Sequence, residues 1–315
     1  MNYGEIISSA VRLTWRNKFL WFFGFFAGAS ASFNFPGGGG GTGDGGMGGF
    51  PAPLRGIVAW VQDNLALFLT VIITLGVLIV VVGIVLSMIS QGALAESVAA
   101  LDRGEEHRFG SAWRAGTANF WRVLGLKILF LLITIGVSLI LTLVLVAPTV
   151  GIFFATESVA ARVVAVVFAV LAGLALLVLI FIPLAVIGQW ALRRLVVDRD
   201  RIWESIKSGF GLFRRNIGRS LLVWLIQLGL MLGAGIVMLI ALIILGFLLV
   251  GPAFLLANAD YTAAAIAVGA IGGAVLLAVF FVLSAILGTF NSSYWTLAYL
   301  RLSAPLHRDT EIQQH

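Results

Sequence analysis

The side chains that usually carry enzyme chemistry are scarce in this chain. No cysteine occurs among the 315 residues, which excludes thiolate nucleophiles, thiolate metal sites and disulfides. The three histidines are His107, His307 and His315, so two fall at the very end of the sequence. No His, Asp or Glu cluster stands at the helical spacing that a metal centre or acid–base pair requires. The residues predict no enzyme, no cofactor and no metal. What remains is a set of cations and neutral amides. Arg193, Arg194, Arg199, Arg201, Lys207, Arg214, Arg215 and Arg219 place eight positive charges close together. Near an anionic membrane surface each such charge gains ~1 kcal/mol. Arg16, Arg122, Lys207, Arg214, Arg215 and Arg219 are therefore the candidate lipid-headgroup contacts, although the same charges also set topology. Gln91, Gln189, Gln227 and Tyr294 are the candidate cavity-lining polar groups. Their other reading is helix joining, through interhelical hydrogen bonds of ~0.6 kcal/mol each.

The elements that hold these residues follow from composition. The chain is 60% hydrophobic and 11% charged with a mean hydropathy of +1.07, against ~25% charged in ordinary globular proteins. A soluble fold of this size could not cover its surface, so the chain reads as integral to a membrane. A net charge of +6 and a pI near 10.3 would suit a nucleic-acid binder if the cations gathered on one soluble domain. They are instead distributed among short connections between apolar runs, and no nucleic-acid partner is expected.

Charge-free runs long enough to cross a ~30 Å hydrocarbon core occur at about 65–90, 128–147, 163–190, 220–250 and 262–290. A weaker one begins at Phe19 and reaches Phe35, giving six expected spans. Sorting Lys and Arg by connection puts 18 on one side and only Arg55 and Arg162 on the other. By the positive-inside rule both termini are cytoplasmic, in a plasma membrane. Phe19–Ala29 followed by Ala29-Ser30-Ala31 has the form of a signal peptide. The amphipathic leader containing Glu5 argues for structure instead.

Residues 37–49 hold ten glycines in thirteen positions and run into Phe50-Pro51-Ala52-Pro53. Without a strand before it or a Lys-Ser/Thr within it, this segment is no phosphate cradle. It reads as a flexible extracytoplasmic loop, 37–53. Pro183 should kink the fourth span, whereas Pro148 and Pro252 should end the third and fifth at the outer surface. Gly229 with Gly233, and Gly269 with Gly273, could form close-packing faces.

Three stretches match one another: EIISSAVRLTWRN (5–17), SAWRAGTANFWRV (111–123) and ESIKSGFGLFRRN (204–216). In register, Ile7, Trp113 and Ile206 coincide, as do the small residues Ala10, Gly116 and Gly209 and the basic residues Arg16, Arg122 and Arg215. Each has helical period with one apolar and one basic face, the pattern of a helix lying in the membrane interface. Where each bends into its span, the small residue is expected to let the backbone pack closely. The ends of the even spans match more loosely, Gln91 aligning with Gln189 and Tyr294. The sequence predicts an all-α polytopic membrane protein: six transmembrane helices in three parallel hairpin repeats (1–101, 102–200, 201–302), each preceded by a cytoplasmic interfacial amphipathic helix, with a cytoplasmic tail, 303–315.

The stretches SIKSGFGLFRRN and SSAVRLTWRN, each followed by an apolar span, resemble the membrane domain associated with bacterial glycerophosphoryl diester phosphodiesterases and its stand-alone relatives. In members of that family which carry the enzyme, catalysis belongs to a separate soluble barrel rich in His, Glu and Asp. No such segment occurs in this sequence, so the resemblance implies a fold and no catalytic residue. The expected role is a non-enzymatic scaffold or lipid-interacting accessory protein with membrane lipids, anionic ones included, as partners. The alternative is a transporter or channel for a neutral or lipid-like solute.

Overall fold

The computed structural model describes residues 2–32, 63–259 and 261–312, so the glycine-rich segment lies outside the described residues. Among these, the chain forms eight helices and no strand: α1 (Tyr3–Arg16), α2 (Leu20–Ser32), α3 (Leu65–Asp102), α4 (Phe109–Ala155), α5 (Val159–Val197), α6 (Ile202–Arg215), α7 (Ile217–Asn258) and α8 (Thr262–Ile312). Five of them, α3, α4, α5, α7 and α8, are long and apolar enough to cross a membrane. The apolar run at Phe19 enters as α2, of which 13 residues are described.

Two matched stretches form separate helices, and one does not. The side chain of Asn2 caps α1 by accepting the Glu5 amide at 3.4 Å, and α1 stops at Asn17. The α6 helix opens with the Glu204 carboxylate accepting the Arg201 amide at 3.3 Å and stops at Asn216. Both asparagines turn their Nδ2 back onto the carbonyl four residues earlier, Asn17 onto Leu13 at 3.1 Å and Asn216 onto Leu212 at 3.5 Å. This local bonding competes with helix propagation. The position matching Asn17 and Asn216 is Val123 in the middle stretch, which has no such alternative. There the helix runs unbroken for 47 residues.

The small residues give close packing, but not at the bend: they sit seven positions before the break in α1 and α6 and admit a neighbouring helix. A Cβ on Gly116 would meet the Ile89 carbonyl and lie 3.0 Å from the Ala93 Cβ, and one on Gly209 would lie 3.0 Å from the Ala191 amide and 3.3 Å from the Ile187 carbonyl. Ala10 is fully buried in a cluster with Tyr294, Trp295 and Ala298. The α1 helix thus packs on α8, the start of α4 on α3, and α6 on α5, while α3, α5 and α8 touch one another at the centre.

The long helices run for about 57–77 Å at 1.5 Å per residue, well beyond a ~30 Å core. Their packing is confined to one end. The most apolar 18-residue windows of α3, α4, α5 and α7 are 0% buried, and that of α8 only 6%. The buried side chains gather instead where the basic residues are, around Trp190, Tyr294, Trp295 and Tyr299.

Two proline expectations are corrected. Pro148 and Pro252 lie inside α4 and α7, which continue to Ala155 and Asn258. The residues that follow are apolar, and a chain leaving the helix in hydrocarbon would strand every backbone group, whereas a proline removes one donor. Pro183 lies inside α5. Gly229, Gly233 and Gly273 face open space, and the close approaches fall at Gly24 with Gly288 and at Gly272 against Leu249.

Candidate functional site

The basic end carries a continuous polar layer built on the α5–α6 turn. Asp198 caps α5, Arg199 follows with φ 57°, and Asp200 leads into α6. A non-glycine residue in the left-handed region costs of order 1 kcal/mol, and the bonds on either side hold this one there. Asp198 Oδ2 accepts the Tyr299 hydroxyl at 2.5 Å and pairs with Arg194 Nη1 at 2.9 Å. Arg194 Nε faces Asp200 at 3.7 Å. Burial pushes the Asp200 carboxyl above its usual range, and the Arg194 charge opposes this only in part.

The layer extends to α3 and α4. Arg122 donates to the Asp200 carbonyl at 2.6 Å and to Asn119 Oδ1 at 3.2 Å, Asn119 donates to Glu96 at 3.1 Å, and Arg301 reaches Asp102 at 3.2 Å. Arg122, a candidate headgroup contact, is thus half-buried and clamps α4 to the turn. Arg16, Lys207, Arg214, Arg215 and Arg219 are exposed. On α6 the exposed Trp203, Lys207, Phe210 and Arg214 follow one another at helical spacing, and Lys207 Nζ stands 5.8 Å from the Trp203 ring centre.

The four candidate cavity-lining groups bond to separate partners. Gln91 donates to Ser87 Oγ at 3.3 Å, Gln227 donates to Asn291 at 3.1 Å across α7 and α8, and the fully buried Tyr294 donates to the Val223 carbonyl at 3.0 Å. Gln189 accepts from Arg193, both at its backbone carbonyl, 3.2 Å, and at Oε1. In the sequence Arg193 is one of eight clustered cations. It is 3% exposed, its Nε has no partner, and no carboxylate pairs with it among the described residues. The spacing Gln189 to Arg193, one helical turn, was the available signal.

Two cavities lie beside these elements. One, about 210 Å³, opens between α5, α6 and α8 and is lined by Arg194, Ser208, Gly211, Arg215, Tyr299 and Ser303 among others. The second, about 520 Å³, separates the outer parts of α4 and α5, with Ser138, Thr142 and Thr149 along an otherwise apolar wall. No group of three or more metal-ligating side chains occurs among the described residues.

Residues 17–304 match the family of unknown function DUF7544. The chain belongs to that family. No curated protein and no solved structure matches the chain. The family's matched range takes in every helix from α2 to most of α8, hence the whole polar layer.

Proposed function

We propose that this DUF7544 member is a non-enzymatic lipid-interacting accessory protein of the bacterial plasma membrane, which engages the cytoplasmic leaflet through its basic end. The observation that carries this reading is the exposed stripe Trp203, Lys207, Phe210 and Arg214 on α6. Aromatic rings seat in the headgroup region and cations attract anionic lipid. Exposed Trp15 and Trp121 add rings at the same end.

In this reading α2 completes a sixth span, and the chain is three hairpin repeats with both termini in the cytoplasm. Support comes from the equivalent contacts of Gly116 with Ile89 and Ala93, and of Gly209 with Ala191 and Ile187. The likeness of SSAVRLTWRN and SIKSGFGLFRRN to the phosphodiesterase-associated membrane domain points the same way. The orientation is tested by single cysteines on this cysteine-free chain. Positions in 37–49 label from outside the cell and position 105 from inside; the reverse pattern rejects it.

The lipid reading is tested in nanodiscs of mixed neutral and anionic phospholipid. Wild-type protein enriches anionic lipid around itself, and Lys207→Glu with Arg214→Glu abolishes the enrichment. Equal recovery of anionic lipid with both proteins would sink the reading. A second reading, passage of a lipid-like solute, is favoured by the apolar cavity between α4 and α5, where the Ser138 and Thr142 hydroxyls face a hydrocarbon-depth space.

A further inference from the structure

Of the two cavities, the smaller has the more specific chemistry. Its wall carries two guanidinium groups on different elements, Arg194 from α5 and Arg215 from α6, with the hydroxyls of Ser208, Tyr299 and Ser303 and no carboxylate among its lining residues. Arg194 is fixed from behind, since Asp198 takes Nη1 and Asp200 lies at Nε, which leaves Nη2 for another acceptor. Arg215 is exposed and makes no ion pair or hydrogen bond among the described residues. Ser208 gives its proton to the Glu204 carbonyl at 2.7 Å, so its remaining lone pairs can accept from a protonated oxygen. Gly211 has open space where a side chain would be.

Guanidinium groups are the donors that recognise tetrahedral oxyanions, and the hydroxyls, whose own protons go to Asp198, Glu204 and Leu300, can accept from a protonated phosphate oxygen. A volume of about 210 Å³ is below the ~300–1,000 Å³ of drug-sized sites, which suits a phosphate with a small ester substituent. We propose that this cavity binds a phosphate group, clasped between Arg194 and Arg215. The group arrives on a lipid headgroup or on a small soluble phosphate ester. Only the lipid source rests on the lipid-facing reading of α6 above.

Arg214 and Arg215 are neighbours of equal charge and both are exposed, yet only Arg215 lines the cavity. That difference separates a site from a charged surface. Purified full-length protein in neutral detergent is titrated with inorganic phosphate, glycerol 3-phosphate and short-chain phosphatidic acid, with thermal shift and native mass spectrometry as readouts. Wild-type protein binds at least one probe saturably. Arg215→Gln weakens it about tenfold or more, the loss of a charge-assisted hydrogen bond, and Arg214→Gln leaves it within about twofold. Gly211→Leu fills the cavity, improves helix propensity and abolishes binding, which keeps the test free of misfolding. Binding of the soluble probes assigns a soluble ligand, and binding of phosphatidic acid alone assigns a headgroup. No saturable binding to wild type, equal losses at Arg214 and Arg215, or full binding by Gly211→Leu overturns the site. Loss of anionic-lipid enrichment in Lys207→Glu/Arg214→Glu with phosphate binding retained would leave this site standing beside the lipid reading.

Discussion

Gly24 and Gly288 lie backbone against backbone where α2 crosses α8, so close that a Cβ on either would collide with main-chain atoms of the other helix. The Thr289 hydroxyl, one residue on, donates to the Leu20 carbonyl at 3.0 Å. Gly288→Val or Gly24→Val must therefore push α2 away from α8. Overpacking of a tight contact costs ~1–3 kcal/mol, and the loss of the Thr289 bond adds to it. A thermal midpoint in detergent several degrees below wild type is expected for either variant, and an unchanged midpoint would count against the crossing. Gly229→Val, which meets open space, leaves the midpoint near wild type.

Tyr299 supplies a second prediction. Its hydroxyl binds a carboxylate that also holds Arg194, so Tyr299→Phe removes a charge-assisted bond while keeping the ring against Trp190. The expected cost is ~1.5–3 kcal/mol. Denaturation followed by tryptophan fluorescence measures it, and a change under about 0.5 kcal/mol would mean that Asp198 finds an equal partner in water.

Arg193 points the other way. A buried guanidinium held by one glutamine, with no counter-charge among the described residues, retains much of its desolvation penalty. Replacement by an apolar residue of similar length is expected to stabilise. Arg193→Met should raise the stability by ~1–4 kcal/mol, the range known for buried ionic groups replaced by apolar ones. A lowered thermal midpoint would show that the charge is compensated by something bound.

Asp200 makes stability depend on pH. Its folded carboxyl holds a proton more tightly than the ordinary aspartate value of 3.8, because burial disfavours the charge. Between that value and the raised one, the folded state carries more proton than the unfolded state, so stability falls as pH rises through this window. Asp200→Asn cannot ionise. Its stability relative to wild type should grow as pH is raised from below 3.8 through the window and then level off. A difference that shrinks over the same range would reverse the sign.

The five long helices were legible because a charge-free run of 18 or more residues has few other uses, and α3, α4, α5, α7 and α8 contain the five runs as read. The break after α6 was written in Asn216, and its absence after the middle stretch in Val123, but only a comparison of the two positions makes the difference visible. Which side of each helix is buried was not legible. Trp203 and Phe210 share one apolar face with Gly209 and Phe213 by helical period, yet the first two are exposed and the last two buried, because an apolar residue suits lipid as well as protein. Pairings across helices were equally hidden: Gln227 with Asn291, and Tyr294 with the Val223 carbonyl, join residues far apart in sequence. The cavity between Arg194 and Arg215 depends on such pairings. Eight nearby cations announced a basic surface and left unsaid which two line one cavity.

A bundle knit together at one end has an uneven stiffness. Where Trp190, Trp295 and Tyr299 interlock, a change in the bilayer can do little. Toward the other end each helix meets mainly lipid, so a thicker or thinner membrane can alter its tilt at a cost of fractions of a kcal/mol per ångström of mismatch. The anchored end acts as a hub and the opposite ends as spokes of adjustable pitch. Bilayer thickness would then be felt first in the space between α4 and α5, far from the polar layer that stays fixed.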